Sequence, residues 1–168
     1  IENYSYVPCG PGEVPVQVLR WGDRFFLVLR TGENESVMRE FGTATSGPMG
    51  ETPIQGIVEA AWNAPGFNSI AVLSRLRSRS GWYRRLELNG VPVYEGRFLM
   101  GRDALQWSEE GDAFAAVIQE TGGSEDGPVL QKIVTPGLVQ DVPRGRRVRE
   151  MIVADAGLVP AMILTDGR

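Results

Sequence analysis

The sequence predicts an all-β fold, a β-propeller built from four-stranded antiparallel blades. Three observations carry that expectation. A segment recurs: Trp62-Asn63-Ala64-Pro65-Gly66, followed by Ile70-Ala71-Val72-Leu73, aligns with Trp107-Ser108-Glu109-Glu110-Gly111, followed by Ala115-Ala116-Val117-Ile118. Tryptophan falls on tryptophan and glycine on glycine at an interval of about 45 residues, and looser copies centre on Gly22 and Gly157. A second hairpin repeats with the first, since Gly90 and Gly137 lie about 47 residues apart. Finally, the apolar segments alternate or run short and lack the 3.6-residue spacing of helical repeats. The 21 glycines and 11 prolines are the surplus that a hairpin at every turn demands.

The elements follow in order. Residues 15–19, 24–30 and 36–41 read as three strands of a first repeat, with a poorly marked fourth after Gly47. In the second repeat, residues 60–63 form a first strand and Pro65-Gly66 a turn. Residues 69–76 form a strand apolar on both faces, which predicts burial between neighbouring sheets. Residues 82–88 alternate, Asn89-Gly90 is the strongest short hairpin signal in the chain, and residues 91–94 return as a fourth strand. The third repeat has strands at 104–108, 113–119, 129–135 and 138–141, with Pro136-Gly137 as its turn. The fourth supplies only 149–154 and 159–165. Residues 2–7 read as a fourth strand detached from its blade, placed to complete the last one, because an open ring leaves sheet edges in water. The chain is thus expected to be a single domain over residues 1–168, with blades at 14–54, 57–96, 104–141 and 147–165 plus 1–7. That makes about four blades, or a partial ring completed by a terminal strand or by a partner.

Composition narrows the chemistry. At 42% hydrophobic and 23% charged, the chain is that of one globular domain with apolar mass for a core. No apolar run reaches the ~18 residues of a membrane-spanning helix, and the N-terminal residues do not resemble a signal peptide. The first residue is not methionine, which reads as a mature or trimmed chain. Cys9 is the only cysteine, so no intrachain disulfide is expected, and it reads as a buried or loop thiol. The chain has no histidine, which removes Ser-His-Asp and Cys-His catalysis and imidazole-ligated metals. A net charge of −4 argues against a nucleic-acid partner. All but one of the 17 basic residues are arginine, Lys132 being the exception.

The strand pairs Trp-x-x-x-x-Gly plus a small apolar run, with the Asn-Gly hairpin and the Val93-Tyr94-Glu95-Gly96 return, resemble WD-repeat-like blades typified by the periplasmic propeller of the bacterial Tol-Pal system. Trp107-Ser108-Glu109-Glu110-Gly111-Asp112 is the nearest copy of that family's turn, and the likeness spans most of residues 14–165. It implies a scaffold that presents loops to a protein partner, in an extracytoplasmic setting. It carries over no catalytic residue.

Arg75-Leu76-Arg77-Ser78-Arg79-Ser80-Gly81, with Trp82, Tyr83, Arg84 and Arg85 beside it, reads either as a solvated loop whose arginine stems cover aromatic rings or as a phosphate-binding or RNA-binding loop. The run Arg144, Arg146, Arg147 and Arg149 falls at the equivalent end of a later blade. The partner-binding expectation is therefore Arg77, Arg79, Arg97, Arg102 and Arg146, converging on one mouth and pairing with carboxylates of an acidic protein segment. Residues 120–126 offer oxygen ligands without the spacing of a calcium loop, so no metal and no cofactor is expected. Gly10-Pro11-Gly12 and Gly47-Pro48-Met49-Gly50 read as turns. Asp23 and Asp112 occupy equivalent positions after a glycine turn and read as acids that cap their own hairpins. The functional expectation is a non-enzymatic interaction scaffold. The alternatives are a histidine-independent hydrolase or lyase using carboxylates in the funnel, and a structural subunit of a homo- or hetero-oligomeric assembly.

Overall fold

The computed structural model describes residues 9–42, 47–66, 68–121, 130–153 and 160–166. Among these residues the chain is all-β, with one 3-10 turn and no α-helix. Four antiparallel sheets follow one another along the chain. Sheet 1 is β1 (Val14–Trp21), β2 (Arg24–Arg30), β3 (Glu35–Gly42) and β4 (Pro48–Gln55). Sheet 2 is β5 (Ile57–Asn63), β6 (Ile70–Ser78), β7 (Gly81–Leu88) and β8 (Val91–Gly96). Sheet 3 joins β9 (Phe98–Leu99), β10 (Leu105–Trp107), β11 (Phe114–Glu120), β12 (Gln131–Thr135) and β13 (Leu138–Asp141). Sheet 4 pairs β14 (Arg146–Ile152) with β15 (Ala161–Asp166). Strands within sheets 1, 2 and 4 pair in chain order, and no sheet closes on itself. The expected strand at 2–7, and the ring closure it would give, lie outside the described residues.

Alternation explains the stacking. Side chains along a strand point to opposite faces, so β6 sends Ile70 and Val72 toward sheet 1 and Ala71 and Leu73 toward sheet 3. It is buried on both sides, as its unbroken apolar run predicts. Leu19 and Val28 of sheet 1 meet Val58, Ala61, Ile70 and Val72 in the first seam. Leu86, Phe98, Phe114, Ile118 and Val134 fill the second, where Trp107 meets Phe114 edge to face at 5.5 Å. Ala115 and Ile133 meet Met151 and Val153 in the third. The Asn89-Gly90 hairpin forms as expected, with both residues at positive φ, 51° and 79°.

Two strands differ from the sequence reading. Pro48 to Gly50 belong to β4 and are no turn. Proline is tolerated there because β4 is the edge of sheet 1, where a missing N–H leaves no ladder bond unmade. The first strand of sheet 3 is also broken in two: β9 and β10 both pair with β11, and residues 100–104, including the 3-10 turn Arg102–Ala104, are inserted between them.

A candidate interaction surface at the arginine-bearing hairpins

Each sheet has two ends. At one lie the turns joining first to second and third to fourth strands; at the other lie the second-to-third hairpins and the connectors to the next sheet. The second end of sheet 2 carries the β6–β7 hairpin, with Arg75, Arg77 and Arg79 on one side and Trp82 and Tyr83 on the other. Register places Arg77 opposite Trp82 and Arg75 opposite Arg84. The guanidinium of Arg75 lies 4.8 Å from the Trp82 ring centroid and that of Arg77 5.9 Å, both at cation–π range. Arg97, on the connector to sheet 3, donates from Nη2 to the Ser80 carbonyl. The Arg97 carbonyl in turn accepts from the Thr121 N–H at 2.8 Å, which ties the hairpin to sheet 3. From sheet 1, the Asn34 side-chain oxygen accepts the Arg77 backbone N–H at 3.1 Å. Arg75, Trp82, Tyr83, Arg84, Arg97 and Thr121 line a hollow of about 200 Å3.

The cations divide into two kinds. Arg84 is structural: Nε and Nη2 hold the Glu59 carboxylate at 2.5 and 3.2 Å, and Nη1 donates to the Phe98 carbonyl at 2.7 Å. Arg75 lies 3.5 Å from the same carboxylate, but its Nε is buried without a hydrogen-bond partner among the described residues. Arg77 and Arg79 are exposed, and no carboxylate among the described residues pairs with either. The hairpin thus holds the Arg77 guanidinium over an aromatic ring, with the exposed Arg79 beside it.

Of the five arginines expected at one mouth, the structure brings Arg77, Arg79 and Arg97 to this single hairpin. Arg102 is elsewhere. It sits in the insertion beside the first strand of sheet 3, where its carbonyl accepts the Trp62 indole N–H at 2.8 Å. Arg146 begins β14 and is occupied by Asp166, its cross-strand neighbour, at 2.7 Å. Asn34, Glu59 and Thr121 were not foreseen, and no local signal marks them because each reaches the hairpin from another strand or sheet.

The acids behave structurally. Asp112 accepts from the Ser108 hydroxyl at 2.7 Å, and the same hydroxyl accepts the Ala113 N–H at 3.1 Å, so the turn is capped from within. Glu59 beside the first strands is held by Arg84. Burial, and then the hydrogen bond it gives Glu120, push the Tyr94 phenol up to about 12. The same bond, with that from Lys132, holds Glu120 low. Tyr94 Oη lies 2.7 Å from Glu120 and Lys132 Nζ 3.0 Å from it, a lock between sheets 2 and 3. Among the described residues no three acids or thiols converge to hold a metal, and no helix is long and apolar enough to cross a membrane. Cys9 is exposed ahead of β1, and residues 122–126 of the oxygen-rich loop lie outside the described residues. Comparison with protein-family models, with curated proteins and with solved structures finds no match to this chain.

Proposed function

We propose that the chain is a run of β-propeller blades serving as a non-enzymatic interaction module, and that the β6–β7 hairpin docks an acidic segment of a partner protein. The propeller reading is supported by successive antiparallel sheets packed face to face, the first two of them four-stranded meanders, with β1 beside β5 and the fourth strands β4, β8 and β13 largely exposed. Gln17 of β1, for example, bonds both the N–H and the carbonyl of Ala61 in β5, at 3.1 and 2.8 Å.

The docking reading rests on one observation: Arg75 and Arg77 are stacked on Trp82 while the Arg77 and Arg79 head groups keep their donors uncommitted. A guanidinium held on a ring has already lost much of the freedom it would surrender on pairing with a carboxylate, and its fork matches that group in two bonds. Among the described residues, folding gives these side chains no acid to meet.

The test is fluorescence anisotropy with a labelled peptide of alternating glutamate and glycine, read at low and physiological salt. Arg77→Glu combined with Arg79→Glu should weaken binding at least about tenfold, since each charged pair is worth roughly 1 kcal/mol or more. Arg102→Glu, on the insertion in sheet 3, should leave binding within about twofold. Equal affinity for the double variant, or an equal loss with Arg102→Glu, would reject the hairpin as the docking surface.

A further inference from the structure

The seam between sheets 1 and 2 is not filled along its whole depth. Near the first strands, Leu19, Val28, Val58, Ala61, Ile70 and Val72 close it. Farther out, Trp21, Phe26, Met38 and Ile54 pack against that core but stay only partly buried. A cleft of about 380 Å3 remains between them, opening beside the Asn89-Gly90 turn at the opposite end of β7 from Trp82. Protein interiors ordinarily hold few voids larger than a water molecule, and sites for small ligands begin near 300 Å3.

The cleft also has a charge. Residues of β7 that face sheet 1 are Arg85 and Glu87, because Leu86 and Leu88 take the other face. Arg85 donates from Nε to Glu95 and from Nη1 to Gln55 at 3.3 Å, and reaches Glu87 only at 3.5 Å. Among the described residues, one guanidinium between two carboxylates leaves one negative charge uncompensated at this wall. Glu87 lines the cleft, and its side chain is only 14% exposed. The other ionised pair on this side of sheet 1, Arg24 with Glu40 at 2.6 Å, is neutral overall. Opposite, Trp21 and Phe26 stand 5.5 Å apart at 56°, offering two ring faces of the kind that attract cations.

We infer that this cleft binds a small organic molecule with an apolar, ring-sized body and a protonated amine. The body displaces water from Trp21, Phe26, Met38 and Ile54; the amine donates to Glu87 and completes the charge balance that Arg85 leaves open. An anion of the same size meets Glu87 unfavourably, and a neutral alcohol leaves its charge unmatched. The site is independent of the arginine hairpin and stands whether or not that hairpin docks a partner.

The test uses three probes of equal shape, phenethylamine, phenylacetate and 2-phenylethanol, with calorimetry and the Trp21 indole N–H resonance as readouts. Phenethylamine should saturate below about 1 mM and exceed phenylacetate at least tenfold. Glu87→Gln should bring that preference below about threefold with the ring still bound. Thr52→Trp, at an exposed position lining the cleft, should block all three probes and leave the Arg77 and Arg79 variants' effect on peptide binding intact. No saturable shift at Trp21 up to about 10 mM would overturn the site. So would phenylacetate binding as tightly as phenethylamine, an amine preference that survives Glu87→Gln, or probe binding that survives Thr52→Trp.

Discussion

Replacing Gly56 by alanine should be among the most damaging single-methyl changes in the molecule. Gly56 joins β4 to β5, so the geometry of this one residue sets how sheet 2 hangs on sheet 1. Its φ is +94°, in a region that costs a residue with a Cβ about 1–2 kcal/mol. An added Cβ would lie 2.8 Å from the Arg75 carbonyl oxygen and 2.9 Å from Leu76 Cγ. The first of these is backbone within a sheet, so relief requires moving a strand by about half an ångström, an overpacking cost of roughly 1–3 kcal/mol. The displacement would strain a buried hub: the Gly56 N–H donates to the Asn34 carbonyl at 2.9 Å, and the Ser36 hydroxyl bonds both the Gly56 carbonyl at 2.9 Å and the Val58 N–H at 3.1 Å. The sum is about 2–5 kcal/mol, a large share of the 5–15 kcal/mol of a typical domain. Gly90→Ala is the control, because Gly90 has φ +79° but nothing within 4 Å of the new methyl, leaving about 1 kcal/mol. Urea unfolding followed by tryptophan fluorescence and circular dichroism should show a lowered midpoint for both, much lower for Gly56→Ala, with similar slopes. Equal losses for the two variants would refute the close approach of the connector to β6.

Two further perturbations test the electrostatics. Tyr94→Phe removes the bond to Glu120 and should cost about 1 kcal/mol, the group being half-buried. The folded phenol titrates near 12 instead of 10.0, so its contribution is present below the unfolded value and is lost as the pH climbs from 10 toward 12; an absorbance titration of tyrosinate should lose its latest step in the variant. At the acid end, hydrogen bonds from Arg39 and then from the Gly10 N–H hold Glu13 at about 2 instead of 4.5. That stabilisation is present above 4.5 and disappears as the pH falls toward 2, so melting temperature against pH should drop across this window and drop less in Glu13→Gln.

Local chemistry made most of the strands readable, and distance in sequence explains what was missed. Asn89-Gly90 and the run Ile70-Ala71-Val72-Leu73 announce a hairpin and a doubly buried strand without help from the rest of the chain. β4 carries no such mark: Pro48-Met49-Gly50-Glu51-Thr52-Pro53 neither alternates nor favours strand, and it is held by pairing with β3, Val37 standing opposite Pro53 and Met38 opposite Thr52. β9 is shorter still. Phe98 and Leu99 become a strand only because Glu120 and Gln119 lie beside them, some twenty residues on. The same insertion explains Arg102. Placing it with Arg77 assumes a continuous first strand, and the five residues at 100–104 carry it to the Trp62 indole instead. Arg146 lies on β14 instead, where it pairs with Asp166 across the strands. Arg75 to Trp82 lie together because a tight hairpin keeps neighbours in sequence as neighbours in space.

The insertion in sheet 3 belongs to a pattern shared by the first strands of all four sheets. Every first strand is irregular: register slips between Pro15 and Gln17, between Val58 and Ala60, and between Val148 and Glu150, and in sheet 3 the strand is split outright. A first strand has a partner on one edge only, and its other edge presents N–H and carbonyl groups that would template pairing with another chain. A bulge bends that edge and strengthens its twist, so that a straight ladder cannot propagate there. Side chains then take the ladder's place. Gln17 satisfies Ala61 as a backbone amide would, the Trp62 indole serves the Arg102 carbonyl, and Arg84 serves that of Phe98. Successive sheets are therefore joined at their first strands by side-chain bonds that need particular residues, whereas the seams behind them need only apolar volume. That division lets the residues at the first strands differ from one sheet to the next while the seams behind them stay apolar.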